Sequence, residues 1–333
     1  MNQESLQIAI YYEHPDWFRP LFAELDRRGT PYVRLDASCH QYDASVREKE
    51  YALLFNRMSA SAYLRGHGNA IFYTRNYLAH LERTGVRVIN GYDAFAIETS
   101  KALQLNLLAS LGLPYPRTRV INDGREALSA ARDLRFPIVV KPNIGGRGAG
   151  IVRYDSPEAL AIAVEESRID TGIDSTALVQ EFIPARNAHI VRVETLGGKY
   201  LYALKVYTSG ESFNLCPAEI CQVEDGVSQM GEICLADAPK AGLKVEACTP
   251  PEQIIEAVER IVAAGHIDAG GIEYLVDERD GKPLFYDINA LSNFVADAPK
   301  IIGFDPHERL VDYLEEEAKK CAMGTGSQFS AAG

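Results

Sequence analysis

Apolar residues in the first hundred positions come in short blocks separated by amphipathic stretches. "LQIAIYY" (6–12) is nearly uninterrupted, and "PYVRLDA", "YALLFN" and "GVRVIN" (85–90) repeat the motif at intervals. Short apolar runs of this kind predict buried strands, and the segment from 16 to 28 between them predicts a helix ended by Gly29. Strand–helix alternation points to a doubly wound, parallel α/β sheet. Ligands gather at the C-terminal strand ends of such sheets, which singles out Asn56 and Arg57 directly after "YALLF".

Further along the period changes. Thr99 or Ser100 can cap a helix carrying Leu103, Leu107, Leu108 and Leu111 at helical spacing, with Gly112 and Pro114 to stop it. "FPIVVKP" predicts a strand and "IVRY" another, and Ser156-Pro157 opens a helix with serine as cap and proline in its first turn. "TALVQEFIP" (176–184) predicts a strand, and "RVETLGGKYLYALKVY" a hairpin about Gly197-Gly198. A helix from 251 to about 264 buries Ile254, Ile255, Val258, Ile261 and Val262. This second part is α+β in character.

Two stretches carry chemistry. In "KPNIGGRGAG" (141–150) four glycines allow close approach of the backbone to a phosphate. The stretch lacks the Gly-Lys-Ser/Thr ending of a P-loop and the spacing of a dinucleotide fingerprint. It joins two strands rather than a strand and a helix, so it predicts a hairpin flap. The other is "GGIEYLVDERDGKPLFYDIN". Taking Arg279-Asp280-Gly281 as a three-residue loop sets Val276 opposite Leu284 and Glu273 opposite Asp287, with Asn289 on the same face. Opposed carboxylates repel unless a cation lies between them, and oxygen donors of this kind suit Mg²⁺. An exposed hairpin with scattered acids is the alternative.

Composition excludes several classes. Lys and Arg number 34 against 46 Asp and Glu, a net charge of −12, which disfavours nucleic acid and anionic membranes as partners. No run reaches transmembrane length and no signal peptide is evident, so a cytoplasmic protein is expected. The cysteines at 39, 216, 221, 234, 248 and 321 lack histidines at zinc spacing and are expected to be reduced, buried thiols. The small, polar ending is expected to be a loose tail.

In combination, "SKALQLNLLASLGLPYP", "FPIVVKPNIGGRGAG", "VQEFIP", "GGIEYL" and "FYDIN" resemble the ATP-grasp superfamily, over nearly the whole chain. The similarity is greatest to carboxylate–amine ligases of the glutamate-ligase branch, and more distant to D-alanine–D-alanine ligase. The resemblance implies an N-terminal α/β domain (1–98), a subdomain with the glycine flap (99–184), a C-terminal subdomain with a metal site (185–322) and a tail (323–333). It implies that Lys101 and Lys141 meet ATP, that Gly145, Gly146, Arg147, Gly148 and Gly150 close over its phosphates, and that Gln180, Glu181, Phe182 and Ile183 meet the adenine edge. Arg192 falls at the reacting phosphate, and Glu273, Asp287 and Asn289 at Mg²⁺, for which Mn²⁺ could substitute. The ribose-binding acid expected just before Arg192 is missing; Ile190 stands there, with His189 beside it. "NALSNF" replaces the usual Asn-x-Ser-Pro-Gly, which makes Ser292 and Asn293, with Arg57 and Asn214, candidate substrate contacts.

The implied activity is ATP-dependent amide formation through an acyl phosphate, with small carboxylate and amine substrates such as amino acids or a peptide; a homodimer is left open. The alternatives are a small-molecule kinase of this fold, for which no basic cluster is evident, and a nucleotide-binding regulator without turnover.

Overall fold

The computed structural model describes residues 7–14, 16–146, 148–207, 222–224, 227–229 and 244–323. Arg147, Asn214, Cys216, Cys221, Cys234 and nearly all of the expected tail lie outside these residues.

The first block is the expected parallel sheet. Strands β1 (Ile8–Tyr12), β2 (Tyr32–Asp36), β3 (Leu53–Arg57) and β4 (Arg87–Ile89) lie in the order β2-β1-β3-β4, all parallel. Side chains alternate across it. Ile8, Ile10, Leu53 and Phe55 enter one core with α1 (Arg19–Arg28), while Ala9, Tyr11 and Leu54 enter another with α2 (Gly68–Thr84). Gly29 adopts φ 67° and closes α1, as its position suggested.

After α3 (Tyr92–Glu98) comes α4 (Lys101–Ser110), where the Ser100 hydroxyl accepts from the Leu103 amide. Its inner face differs from the leucine stripe: Gln104, Leu105 and Leu108 are buried, and Leu103 is 41% exposed. The Gln104 amide turns the helix, because it bonds both the Ile288 carbonyl (2.8 Å) and the Ile288 N–H (3.2 Å). A second sheet, β5-β8-β6-β7, consists of β5 (Thr118–Ile121), β6 (Ile138–Pro142), β7 (Val152–Tyr154) and β8 (Ala177–Glu181), all antiparallel. It is backed by α5 (Ala127–Ala130) and α6 (Pro157–Glu165). The glycine stretch links β6 to β7, the predicted flap position.

The third sheet runs β13-β10-β9-β14-β15 and is built from β9 (His189–Leu196), β10 (Lys199–Tyr207), β13 (Val245–Cys248), β14 (Ala269–Val276) and β15 (Pro283–Asn289). β11 (Gln222–Glu224) and β12 (Val227–Gln229) form a separate antiparallel pair. Gly197 and Gly198 turn the β9–β10 hairpin at φ 59° and 73°. Helix α7 (Glu252–Ala264) lays Ile254, Val258, Ile261 and Val262 on one face of this sheet; Ile255 is only half-buried. After α8 (Ala298–Ile302), α9 (Pro306–Ala322) returns to the N-terminal sheet, where Leu310, Val311 and Leu314 share the α1 core. The break at 98 is therefore a boundary in sequence and not between hydrophobic cores.

Among the described cysteines, Cys39 is exposed and Cys248 and Cys321 are half-buried free thiols, so the uniformly buried set is not what forms. Among the described residues no helix is long and apolar enough to cross a membrane.

Candidate active site

The third sheet sets three charged side chains abreast. Arg192 on β9 pairs with Glu273 on β14, and Glu273 with Asp287 on β15. In the next row on that face Glu194, Gly271 and Asn289 are likewise neighbours. The expected facing of Glu273 and Asp287 forms, but by two compensating departures. The turn spans one residue more than predicted, with the Asp277 N–H donating to the Lys282 carbonyl, so that Val276 faces Pro283 rather than Leu284. A bulge at Tyr286 then restores the register before Glu273 is reached.

Arg192 is buried and fully engaged. Its Nε donates to Glu194 (2.6 Å), Nη1 to Glu273 (3.0 Å) and Nη2 to the Ser292 hydroxyl (3.1 Å). The Ser292 hydroxyl also donates to Glu194, and Tyr286 donates to the other Glu273 oxygen (2.8 Å). Lys101, the first residue of α4, sets its ammonium on Asp287 at 2.5 Å. Asn289 donates weakly to Glu273 (3.4 Å) and Asp287 (3.5 Å), so the three proposed oxygen donors share one point of the sheet. No group of three or more His, Cys, Asp or Glu forms a metal-holding cluster among the described residues; the set here is two carboxylates and an amide.

Burial and neighbouring charge split the titrations. Burial, reinforced by Asp287, raises Glu273 above the usual carboxylate range. Burial opposes ionisation of Asp287 as well, yet the Lys101 charge and hydrogen bond hold it below its ordinary value. Lys141 on β6 is 3% exposed, and burial together with the Lys101 charge pushes it down to about 7.

One cavity gathers these groups: Lys101, Lys141, Arg192, Glu273, Asp287 and Asn289 line it, with Gly145, Gly146 and Gly148 of the flap. The flap rests on the N-terminal domain, since a Cβ on Gly146 would lie 2.7 Å from the Ser61 Cβ. Asn293 and Ser61 also border the cavity. The adenine-side candidates stand outside its walls. Gln180 is buried and donates to Thr118 (2.9 Å), Glu181 accepts from the Arg135 N–H (3.0 Å), the Phe182 ring lies under the Arg153 guanidinium, Ile183 enters the N-terminal core, and the His189 ring packs against Tyr207. Arg57 is buried at its strand end, but its Nη2 donates to the Ser292 carbonyl (2.5 Å) and the Asn293 side chain (3.0 Å). It therefore reaches two of the other candidate substrate residues.

Several participants escaped the sequence reading. Glu194 sits two residues beyond Arg192 on a strand, a spacing that marks a shared face. Glu98 accepts from the Ala290 (2.6 Å) and Leu291 (3.2 Å) amides, and Gln104 pins Ile288 between two donor residues. Neither had a local signal, because each partner is about 190 positions away.

Residues 98–215 match the RimK-like ATP-grasp domain family. A probable alpha-L-glutamate ligase of Mannheimia succiniciproducens is 25% identical over 317 residues, covering 95% of this chain and 85% of the relative. The D-alanine–D-alanine ligase of Bacillus anthracis has a similar structure, with a TM-score of 0.64 at 15% identity over 96% of this chain and 100% of that one. The ATP-grasp ligase PsnB, complexed with a phosphomimetic variant of its minimal precursor, Mg and ADP, gives a TM-score of 0.64 at 17% identity over 94% and 99%. The chain thus carries a RimK-like ATP-grasp domain on an ATP-grasp fold, and its relatives place it with ATP-dependent carboxylate–amine ligases.

Proposed function

From that ATP-grasp framework, we propose that the protein joins a carboxylate to an amine through an acyl phosphate, releasing ADP and phosphate. The observation that carries this reading is the convergence of Lys101, Lys141 and Arg192 with Glu273, Asp287 and Asn289 beneath a glycine flap. An all-oxygen set with two carboxylates fits Mg²⁺ or Mn²⁺, and Glu273, Asp287 and Asn289 would hold it. The bound ion neutralises charge on the transferring phosphoryl group.

Lys101, Lys141 and the amides of the flap bind and orient the ATP phosphates, with Arg147 beside them; the Gln180–Ile183 hinge, whose side chains are engaged within the protein, meets the adenine edge through backbone groups, with His189 on the ribose side. A carboxylate oxygen of the substrate forms a bond to the γ-phosphorus while the bond to the β–γ bridging oxygen breaks, and ADP takes that electron pair. Arg192, fixed from three sides, stabilises charge on the moving group. The amine nitrogen then attacks the acyl carbon and phosphate leaves, while the flap against Ser61 keeps water from the acyl phosphate. Arg57, Ser292 and Asn293 form the substrate wall, and Asn214 is a further candidate contact from the sequence. Arg57 acts there by holding the Ser292–Asn293 turn.

Hydroxylamine trapping tests the reaction class. Incubation with ATP, Mg²⁺, hydroxylamine and a pool of amino acids and small carboxylates yields a hydroxamate and ADP in equal amounts if an acyl phosphate forms. ADP release without hydroxamate, matched by phosphorylated hydroxyl products, would establish the kinase alternative instead.

Lys141 adds a pH prediction. Its ammonium titrates near 7 in the free protein, and phosphate charge beside it raises that value. ATP binding therefore adds a proton to Lys141 above about pH 7 and adds none there well below it, where the lysine is already charged. Calorimetry in buffers of different ionisation enthalpy reads this uptake directly, and Lys141→Met should remove it.

A further inference from the structure

Trp17 and Asn293 stand in the walls of two cavities. One is the catalytic cleft, of about 110 Å³. The other, of about 520 Å³, lies between the start of the N-terminal domain and the segment from Ser292 to Leu310. That volume is in the range that accepts a small-molecule ligand.

Part of its wall is aromatic. The His14 ring lies flat on Trp17, with centroids 4.2 Å apart and planes at 4°. Phe18 forms part of the wall, and Phe294 meets the His307 ring edge-on at 5.3 Å. Two of its acids have cationic partners at the exposed rim, Asp16 with Arg19 (2.5 Å) and Asp297 with Lys300 (3.5 Å), while Asp305 accepts from the His307 backbone N–H (2.9 Å). Arg57 bonds Ser292 and Asn293 and lies over the Phe18 and Phe55 rings. Beside these polar groups the accessible ring surface is that of Trp17 and His14, since Phe18 and Phe294 are buried, and such surface favours stacked and edge-on aromatic partners.

We propose that this cavity receives the aromatic side chain of one ligation substrate, an aromatic amino acid or a short peptide carrying one. Its reacting end passes Trp17 and Asn293 into the catalytic cleft. The cavity's occupant follows from its walls, and only the direction of the reacting end rests on the ligase reading.

Trp17 is the only tryptophan of the chain, so its fluorescence reports binding without turnover. The probes are L-phenylalanine, L-phenylalanyl-L-alanine and L-alanyl-L-phenylalanine, with L-alanine and L-alanyl-L-alanine as controls. A saturable change is expected with at least one phenylalanine probe, at an affinity about tenfold or more above its alanine match. Ala296→Phe, which fills the cavity from its wall, should abolish the change while ATP binding stays intact. His14→Ala, which strips the ring from Trp17, should weaken binding and serves if the first variant fails to fold. Equal responses to alanine and phenylalanine probes, no saturable response at all, or unaltered binding in both variants would overturn the assignment. ADP release with the same probes separates the two readings. Turnover of alanine without fluorescence discrimination refutes the cavity and keeps the ligase; aromatic binding with no ADP release over any carboxylate–amine pair does the reverse.

Discussion

Asp287→Asn is expected to lower turnover by about two to three orders of magnitude in a protein that still folds. The amide has nearly the shape of the carboxylate, so β15 keeps its place beside β14. What disappears is a negative charge that the structure takes care to preserve. Lys101 holds Asp287 ionised against the opposing effect of burial, whereas Glu273 is driven upward. Removing the better-ionised member of the pair leaves the donor set with a reluctant carboxylate and two amides, a poor match for a hard divalent cation. Lys101 loses its ion-pair partner as well, so the cation proposed to bind phosphate is less firmly placed. ADP release measured alongside the thermal midpoint and ATP affinity checks the prediction. Near-normal turnover in a folded variant would remove this hairpin as the metal-holding site.

Gly271→Ala should reduce kcat by about a hundredfold, although no functional group is removed. In a strand interior alanine is ordinarily favoured over glycine by about 0.5–1 kcal/mol. Here a Cβ would lie 2.6 Å from Nη2, 2.7 Å from Nε and 2.8 Å from Cζ of Arg192, closer than such contacts allow. The guanidinium lies flat over Gly271 to reach Glu194 on one side and Glu273 on the other. An alanine forces it upward and breaks that pair of bonds, so the steric term overrides the propensity gain. The effect should fall on kcat, with ATP affinity changed little, because Lys101 and Lys141 are untouched. Steady-state kinetics with an ATP titration reads the split. Full kcat in the variant would mean that Arg192 needs no such seat, and its proposed place at the reacting phosphate would have to be abandoned.

How much of this was legible in the sequence varies from element to element. Caps and glycine stops were, as at Ser100, Ser156 and Gly29, since each acts on amides or dihedral angles within a few residues. The face of α4 was not, because Gln104 is buried by a backbone group 184 positions away. The Glu273–Asp287 pairing was reached by counting, yet the count met the right answer only because the bulge at Tyr286 cancels the longer turn. Turn chemistry states where a hairpin reverses; it carries no signal for where an extra residue is absorbed.

The sequence by itself determined many of the strands and helices, the glycine stretch between two strands, and the six polar residues that line one cavity. Those features follow from period, capping and glycine geometry, which operate over a few residues. The tertiary structure decided what these residues touch. It brought α9 back beneath the first sheet, turned Arg57 onto Ser292 across 235 positions, and fixed Arg192 between Glu194, Glu273 and Ser292. A local pattern marks which face of an element seeks burial, but the partner it finds is set by packing among elements distant in the chain.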